Sequence, residues 1–129
     1  MGTLENWPEI SRHIWDVKYR YRRGDEAVDA DIEDTWRRVA RAAARAEREP
    51  EVWAERFYAD LLSGFRFLPG GRILANAGTE RDSTTMFNCY VMGTIEDSIE
   101  GIFDVVKESA LTQKQGGGVG YDFSTIRPR

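Results

Sequence analysis

Hydrophobic residues recur at spacings of four and three along two stretches in the first half of the chain, and this pattern predicts two helices. The first stretch carries Ile32, Trp36, Val39, Ala43 and Ala46 on one face. The second carries Trp53, Phe57 and Leu61, flanked by Tyr58, Leu62 and Phe65. Pro50 separates the two, since proline ends a helix and suits the first position of the next. We therefore expect a helical hairpin.

The polar residues of the first helix indicate where it begins and which side faces solvent. Asp29–Asp31 offers N-cap candidates, and Glu33 and Asp34 fall in the first turn, where the helix dipole favours acids. Arginines occupy much of the side opposite the apolar face, which we interpret as a solvated face. They are Arg37, Arg38, Arg41, Arg45 and Arg48.

The aromatic and basic stretch from Trp7 to Arg23 admits two conformations. A helical face fits the spacing of Trp7, Ile10, Ile14, Val17 and Tyr21. An extended segment fits the alternation along Lys18–Arg22 equally well. We expect an arm that packs its aromatic side chains on another surface and that ends at Gly24-Asp25. A nucleic-acid-binding role is opposed by the acidic stretch that follows and by the net charge of −4.

The second half of the chain follows a breaker cluster at Phe67–Gly71 and has the pattern of a strand, a helix and a strand. Met86–Met92 is short, apolar and aromatic, which predicts a buried strand. Helical spacing from Ile95 to Ala110 predicts a third amphipathic helix. A glycine-rich turn then leads into a second strand over Gly118–Phe123. This order predicts a βαβ unit with two parallel strands, and the helix is expected to be capped near Thr94 or Asp97.

Composition limits the class of protein. The 129 residues are 41% hydrophobic and 31% charged, which is typical of one globular domain at most. The sequence has no apolar run of roughly 18 residues and no signal-peptide pattern, so we expect a cytoplasmic protein with no membrane or nucleic-acid partner. One cysteine and one histidine exclude a multi-cysteine zinc site, and we predict no metal site. Two parallel strands do not complete a buried sheet, so we expect the front part of a larger fold.

Two features carry candidate chemistry. Cys89 lies in the apolar strand, where a lone cysteine is commonly a small buried hydrophobe. A nucleophilic role would need a base, and the single histidine, His13, is remote in sequence, so a Cys89–His13 dyad lacks support. The glycine run at 116–120 matches neither the P-loop nor the dinucleotide fingerprint. It is either a tight turn between helix and sheet or a backbone cradle for a polar group.

The motifs taken together resemble the catalytic chain of ribonucleotide reductases, most closely the adenosylcobalamin-dependent class II. The segments that carry the resemblance are Phe67–Arg72, Asn76–Thr79, Phe87–Val91 and Gln115–Ser124. Trp15–Arg20 and Glu33–Ala40 are similar to the helical region that opens this family. Any one segment alone is weak, but their ordered succession covers nearly the whole chain.

The resemblance implies a mixed α/β fold. A mainly helical N-terminal region at residues 1–66 would lead into residues 67–129, the start of a ten-stranded α/β barrel. This chain would hold only the first βαβ unit of that barrel, with Met86–Met92 as its first strand and Gly118–Phe123 as the next. Adenosylcobalamin would serve the complete enzyme, with its binding site outside this chain.

The resemblance also implies an activity. Ribonucleotide reductases convert ribonucleoside di- or triphosphates to deoxyribonucleotides through a thiyl radical and a redox cysteine pair. Cys89 matches one half of that pair, and Asn88, Cys89, Gly117 and Gly118 match residues that line the substrate. Arg72-Ile73 departs from the Pro-Thr that many relatives carry, so the phosphate contact of that threonine is not transferred to Ile73.

The cysteine count limits what this chain does alone. The family chemistry needs a second redox cysteine and a radical cysteine, and Cys89 has no companion here. We expect an inactive isolated chain whose partner is the remainder of the reductase or a second split subunit. The alternative is a non-catalytic interaction or regulatory fragment that binds the rest of a reductase. A class that depends on a separate radical subunit also stays open.

Overall fold

The computed structural model describes residues 7–81 and 84–128 and divides the chain into two compact units, residues 1–81 and 82–129. We call them the helical unit and the βαβ unit. Residues 67–81, assigned from the sequence to the start of the barrel region, pack within the helical unit, and the 66/67 domain boundary stays a prediction. No helix in the described ranges is long and apolar enough to cross a bilayer.

The N-terminal stretch adopts both predicted conformations in succession. Helix α1 (Glu9–Ile14) continues into a wider π-helical turn at Trp15–Tyr19. The chain then forms an antiparallel hairpin of strands β1 (Arg22–Arg23) and β2 (Glu26–Ala27) around Gly24-Asp25, and Gly24 takes a φ of +59°.

The helical face that the spacing of Trp7, Ile10, Ile14, Val17 and Tyr21 allowed is only partly confirmed, since Tyr21 is buried and Trp7 packs against the core. Ile10 and Val17 are exposed, whereas Trp15 is only 6% exposed. The Trp15 indole N–H donates a buried 3.0 Å hydrogen bond to the Thr35 hydroxyl, which gives the ring a polar partner inside the core. That pairing turns Trp15, rather than Ile10 and Val17, toward the core.

The predicted helical hairpin is confirmed. Helix α2 spans Ile32–Ala44, and helix α3 spans Pro50–Arg56 before widening into a π-helical turn at Phe57–Leu62 and a 3₁₀ turn at Ser63–Phe65. Asp31 caps α2 by accepting from the Asp34 N–H at 3.1 Å. Ala43 and Ala46, predicted to be core residues, are exposed, and Ala40 and Ala44 are buried instead. Ala46 lies beyond the end of α2 at Ala44.

A short helix that the sequence pattern did not predict closes the helical unit. Helix α4 (Gly71–Asn76) follows the breaker cluster and places Leu74 and, just after its end, Ala77 in the core. The buried cluster joins residues of the two π-helical turns, of α2, and of α4 with the residue that follows it. Its members are Trp15, Ile32, Trp36, Val39, Ala40, Leu62, Leu74 and Ala77.

The βαβ unit confirms the predicted parallel pairing. Strands β3 (Cys89–Val91) and β4 (Gly118–Gly120) pair in parallel and are connected by helix α5 (Ile99–Lys114). Within the described residues they form a two-stranded sheet and no closed barrel.

Three details of the βαβ unit correct the sequence prediction. Each strand has three residues, shorter than Met86–Met92 and Gly118–Phe123. The first strand is not buried, since Val91 is 98% exposed; with only two strands paired, neither face is fully covered. Ser98, rather than Thr94 or Asp97, caps α5, because its hydroxyl accepts from the Gly101 N–H at 3.0 Å.

Candidate functional site

Cys89 is a free, exposed thiol at the first position of β3. The expectation that Cys89 is buried, as a lone cysteine in an apolar strand commonly is, is therefore wrong. Its register partner is Gly118, and its Sγ lies 3.9 Å from where a Cβ at Gly118 would be. The missing side chain at Gly118 leaves the thiol accessible from the side of β4. His13, the base considered for a dyad, is an exposed residue of α1, and the dyad gains no support.

The glycine turn connects the end of α5 to β4 and is tied to the chain on both sides. Gly116 takes a φ of +84°, a conformation that glycine adopts at little cost. The Gly117 N–H donates to the Thr112 carbonyl at 3.0 Å, and the Gly118 N–H donates to the Asn88 carbonyl at 2.7 Å. Both N–H groups are thus used within the chain, so a phosphate at this turn would have to bind other donors.

Gly117 is a position where packing requires glycine. A Cβ there would lie 2.5 Å from the Tyr90 ring and 2.9 Å from the Thr112 methyl group. The Tyr90 hydroxyl shares a 2.6 Å hydrogen bond with the Thr85 hydroxyl, which holds the ring over the turn. The interpretation of the run as a tight turn between helix and sheet is confirmed at Gly117.

The structure brings the four predicted site residues together at the N-terminal ends of the two parallel strands. Asn88 precedes β3 and Cys89 is its first residue, whereas Gly117 precedes β4 and Gly118 is its first residue. Cys89 pairs with Gly118, whose N–H donates to the Asn88 carbonyl. An exposed thiol on such a glycine-lined edge is accessible both to a substrate and to a second thiol. The catalytic and substrate-binding roles of these residues stay predictions. Among residues 7–81 and 84–128, no group of three metal-ligating side chains occurs.

A buried ion pair in the helical unit was missed by sequence reasoning. Arg38 was assigned to the solvated face of α2, but its side chain is only 9% exposed and binds Asp29, itself buried, at 2.9 Å. Its guanidinium also donates to the carbonyls of Tyr19 at 3.2 Å, Leu74 at 3.0 Å, and Ala77. Arg38 therefore connects the end of the N-terminal helix, α2 and α4.

The Asp29 carboxylate is equally engaged. It accepts from the Tyr21 N–H at 3.1 Å and from the Thr35 hydroxyl at 2.8 Å, in addition to Arg38. A buried charge pair persists only when its remaining donors and acceptors are satisfied in this way. We call Asp29, Arg38 and the groups bound to them the Arg38 cluster.

One of the family-like motifs belongs to this cluster. Gly78, within Asn76–Thr79, takes a φ of +71°, and a Cβ there would lie 2.9 Å from Arg38 Cγ and 3.0 Å from the Arg38 carbonyl oxygen. The glycine therefore leaves room for Arg38. Two other family-like segments also contribute to the cluster, since Glu33–Ala40 contains Arg38 and Trp15–Arg20 contains Tyr19. Asn76–Thr79 therefore has a structural role in this unit.

Comparison with known proteins matches both halves of the chain to one family. Residues 8–82 match the family described as "Ribonucleotide reductase, all-alpha domain". Residues 87–129 match the one described as "Ribonucleotide reductase, barrel domain". The helical unit corresponds to the first and the βαβ unit to the second.

Three similar proteins show the range of names among relatives. A "Vitamin B12-dependent ribonucleoside-diphosphate reductase" of Mycobacterium tuberculosis is 44% identical over 96 residues, 70% of this chain and 13% of the relative. A "Ribonucleoside-diphosphate reductase subunit alpha" of Helicobacter pylori is 44% identical over 89 residues, 69% and 11% of the two chains. The protein of that name from Chlamydia trachomatis is 36% identical over 116 residues, which are 90% of this chain and 10% of the relative. The chain thus spans about a tenth of the length of these relatives.

Proposed function

Because this chain belongs to the ribonucleotide reductase family, we propose that it is part of the catalytic chain of an adenosylcobalamin-dependent member of that family. The whole protein would convert ribonucleoside di- or triphosphates to deoxyribonucleotides for DNA synthesis. Its expected location is the cytoplasm. The names of the relatives from Mycobacterium tuberculosis and Thermoplasma acidophilum support the cobalamin-dependent class, whereas those from Helicobacter and Chlamydia carry the name subunit alpha.

The observation that carries the proposal is the exposed thiol of Cys89 opposite Gly118, in the segment that matches the barrel domain. We assign Cys89 as one half of the redox pair. In the net reaction two thiols become one disulfide and give up two electrons and two protons. The ribose 2′ hydroxyl leaves as water, and its carbon gains a hydrogen in its place.

Asn88, Gly117 and Gly118 would form the surface on which the substrate ribose lies beside Cys89. The exposed Asn88 side chain offers amide donors and an acceptor, and the glycines allow close approach of a ligand. The Gly117 and Gly118 N–H groups are already bonded to carbonyls, so phosphate binding in the complete enzyme would come from other groups.

The described residues do not fit adenosylcobalamin. Two cavities of the helical unit measure about 400 and 380 Å³, within the range for small ligands and too small for a corrin ring with its nucleotide tail. The single histidine is an exposed residue of α1 with no metal-ligating group gathered around it in the described part of the chain. We therefore place the cofactor on the remainder of the enzyme and derive no step through it.

We expect the isolated chain to form no deoxynucleotide. Cys89 is the only cysteine in the 129 residues, so the disulfide needs a cysteine from the remainder of the reductase chain or from a second split subunit. Incubation of the chain with ribonucleotide, adenosylcobalamin and a dithiol, followed by nucleotide chromatography, checks this. Formation of deoxynucleotide by this chain alone would contradict the proposal.

A chimera tests the role of Cys89. The matching 96 residues of the Mycobacterium tuberculosis relative would be replaced by those of this chain. Cys89→Ser in the chimera should lower turnover by at least about a thousandfold, since groups that act as a unit fail together. After turnover without a reductant, peptide mapping should find Cys89 in a disulfide with a cysteine of the relative's segment. A Cys89 that stays a free thiol, or a fully active Cys89→Ser chimera, contradicts the assignment.

The second candidate is a non-catalytic fragment that binds the rest of a reductase, and the exposed apolar side chains of the βαβ unit favour it. The most exposed of them are Phe87, Val91, Ile99, Phe103 and Phe123. Such a fragment would co-purify with the remaining barrel without restoring turnover. Restored turnover in the same mixture would favour the catalytic role instead.

A further inference from the structure

We propose that a groove in the helical unit binds the phosphate groups of a di- or triphosphate-bearing anion. The groove measures about 380 Å³ and has five arginines along it, and we call it the arginine groove. Those arginines are Arg23, Arg37, Arg38, Arg41 and Arg45. The proposal rests on the helical unit alone and does not depend on the reductase chemistry proposed for Cys89.

Three of these five arginines have anionic or aromatic partners. Arg38 binds Asp29 in the Arg38 cluster, and Arg23 binds the Glu80 carboxylate at 2.8 Å. Arg37 lies 3.9 Å above the Tyr58 ring and 4.0 Å from a Glu55 oxygen.

Arg41 and Arg45 differ from the other three. Neither side chain makes an ion pair, a hydrogen bond or a ring contact with any residue of the described ranges. Asp34, the remaining carboxylate in the groove, accepts from the Ala30 N–H at 2.9 Å. The groove therefore has two guanidinium groups without an ion-pair partner, in a chain whose net charge is −4.

The spacing of the arginines favours an extended anion. Arg37 and Arg41 in α2 and Arg45, the helical C-cap residue that follows it, are four residues apart and therefore lie on one side. Like charges at this spacing repel one another. Arg41 and Arg45 are separated by about 6 Å along the helix axis. A chain of phosphoryl groups spreads its charge over a similar length, and each guanidinium can bind phosphate oxygens through two parallel N–H donors.

The floor of the groove is already ordered. The Asp29–Arg38 pair is held by hydrogen bonds to carbonyls and to the Thr35 hydroxyl, and Gly78 adds no side chain above it. A ligand entering here would meet a fixed surface and would mainly have to order the exposed side chains of Arg41 and Arg45. Preorganisation of this kind lowers the entropic cost of binding.

The test is a titration of the 129-residue chain with inorganic tripolyphosphate, followed by calorimetry and by backbone amide NMR. The groove variant is Arg41→Gln with Arg45→Gln. The control is Arg48→Gln with Arg66→Gln, which removes the same charge from exposed arginines outside the groove. We expect binding at least about tenfold weaker in the groove variant, since two charge-assisted contacts are lost, and unchanged within about twofold in the control. Circular dichroism confirms that both variants are folded.

Further arms distinguish the source of the phosphates. ATP binding as tightly as tripolyphosphate assigns the site to the phosphate chain, tighter ATP binding assigns it to a nucleotide, and adenosine should not bind. An equal loss of tripolyphosphate affinity in the groove and control variants would overturn the proposal. The absence of amide chemical-shift changes along α2 at millimolar tripolyphosphate would also overturn it. Binding of a glutamate-rich peptide in place of tripolyphosphate would also overturn it and would indicate a protein partner.

Discussion

At the scale of single residues, Arg38 shows how different two arginines of one helix can be. Its neighbour Arg37 is exposed on the surface of the helical unit, whereas Arg38 is enclosed by Asp29 and by backbone carbonyls of two other segments. A charge enclosed in this way depends on its counter-charge, because water cannot replace it.

The substitution Asp29→Asn should therefore be strongly destabilising. It leaves the Arg38 guanidinium buried without its carboxylate, and the free energy of unfolding should fall by roughly 3–5 kcal/mol. Urea denaturation followed by tryptophan fluorescence measures this. Asp60→Asn, which removes an exposed carboxylate, is the control and should change stability by less than about 0.5 kcal/mol. Equal effects of the two substitutions would show that the pair is not needed for folding.

A second carboxylate predicts a pH dependence. Hydrogen bonds from Arg20 and Arg22, both at 2.8 Å, lower the pKa of Asp16 below its ordinary value of 3.8. Because the folded pKa is the lower one, the stabilisation is fully present above pH 3.8 and is lost as the pH falls through the folded pKa. Asp16→Asn should accordingly lower the urea midpoint slightly at neutral pH.

The same comparison at strongly acidic pH provides the control for Asp16. Both chains should then have the same midpoint, since the carboxylate of the unsubstituted chain is protonated as well. The effect should also shrink in high salt, because the Asp16 side chain is partly exposed. A difference that persists unchanged at acidic pH would contradict the role of the ion pair.

At the scale of elements, the sequence predicted the helices and strands that have a clear local pattern of hydrophobic residues and capping residues. The α2–α3 hairpin, the Asp31 cap and the parallel pairing of β3 with β4 follow from spacing, capping residues and the strand–helix–strand order. Cys89 and Gly118 were predicted by their motifs to share one site, and the register places them opposite each other.

Other elements depend on contacts that no local pattern contains. Helix α4 is too short for a periodic signal, and its place is set by the packing of Leu74 and by the bonds from Arg38. The burial of Arg38 depends on a carbonyl 39 residues away, at Ala77. The exposure of Cys89 likewise follows from how few strands pair with β3.

The contact between β3, β4 and the end of α5 yields a prediction at this scale. Gly117→Ala places a methyl group against the Tyr90 ring and the Thr112 methyl, so the pairing of the strands must shift. We expect a loss of about 1–3 kcal/mol in the stability of the βαβ unit, as for overpacking in a core. Amide exchange of β3 and β4, measured by NMR, should become faster.

Gly93→Ala is the matched control for Gly117→Ala. Nothing lies within 4 Å of a Cβ at Gly93, so this alanine should leave exchange in the strands unchanged. Faster exchange of the strands in both variants would mean that added side-chain bulk at Gly117 is not the cause.

At the scale of the whole molecule, the two units differ in how much apolar surface they bury. Among the described residues, the helical unit has eight in one buried cluster, whereas the buried hydrophobic residues of the βαβ unit are Ile95 and Val105. Because burial is the main favourable term in folding, the two units should differ in stability.

Hydrogen exchange should show this difference directly. We expect amides in the middle of α2 to exchange at least about tenfold more slowly than those in the middle of α5, since opening of the smaller core costs less free energy. Exchange followed by NMR on the 129-residue chain measures both helices in one sample. Equal protection of α2 and α5 would show that the chain unfolds as one cooperative body.

The Arg38 cluster has a consequence for the order of events in folding. Its bonds join α2 to carbonyls 19, 36 and 39 residues away, so they form only after the intervening chain has been brought together. Interactions that form after the transition state act on the unfolding rate and leave the folding rate nearly unchanged. In stopped-flow experiments, Asp29→Asn should increase the unfolding rate constant. Its refolding rate constant should be almost that of the unsubstituted chain. The cluster would then determine the unfolding rate of the helical unit, and therefore its lifetime in the folded state.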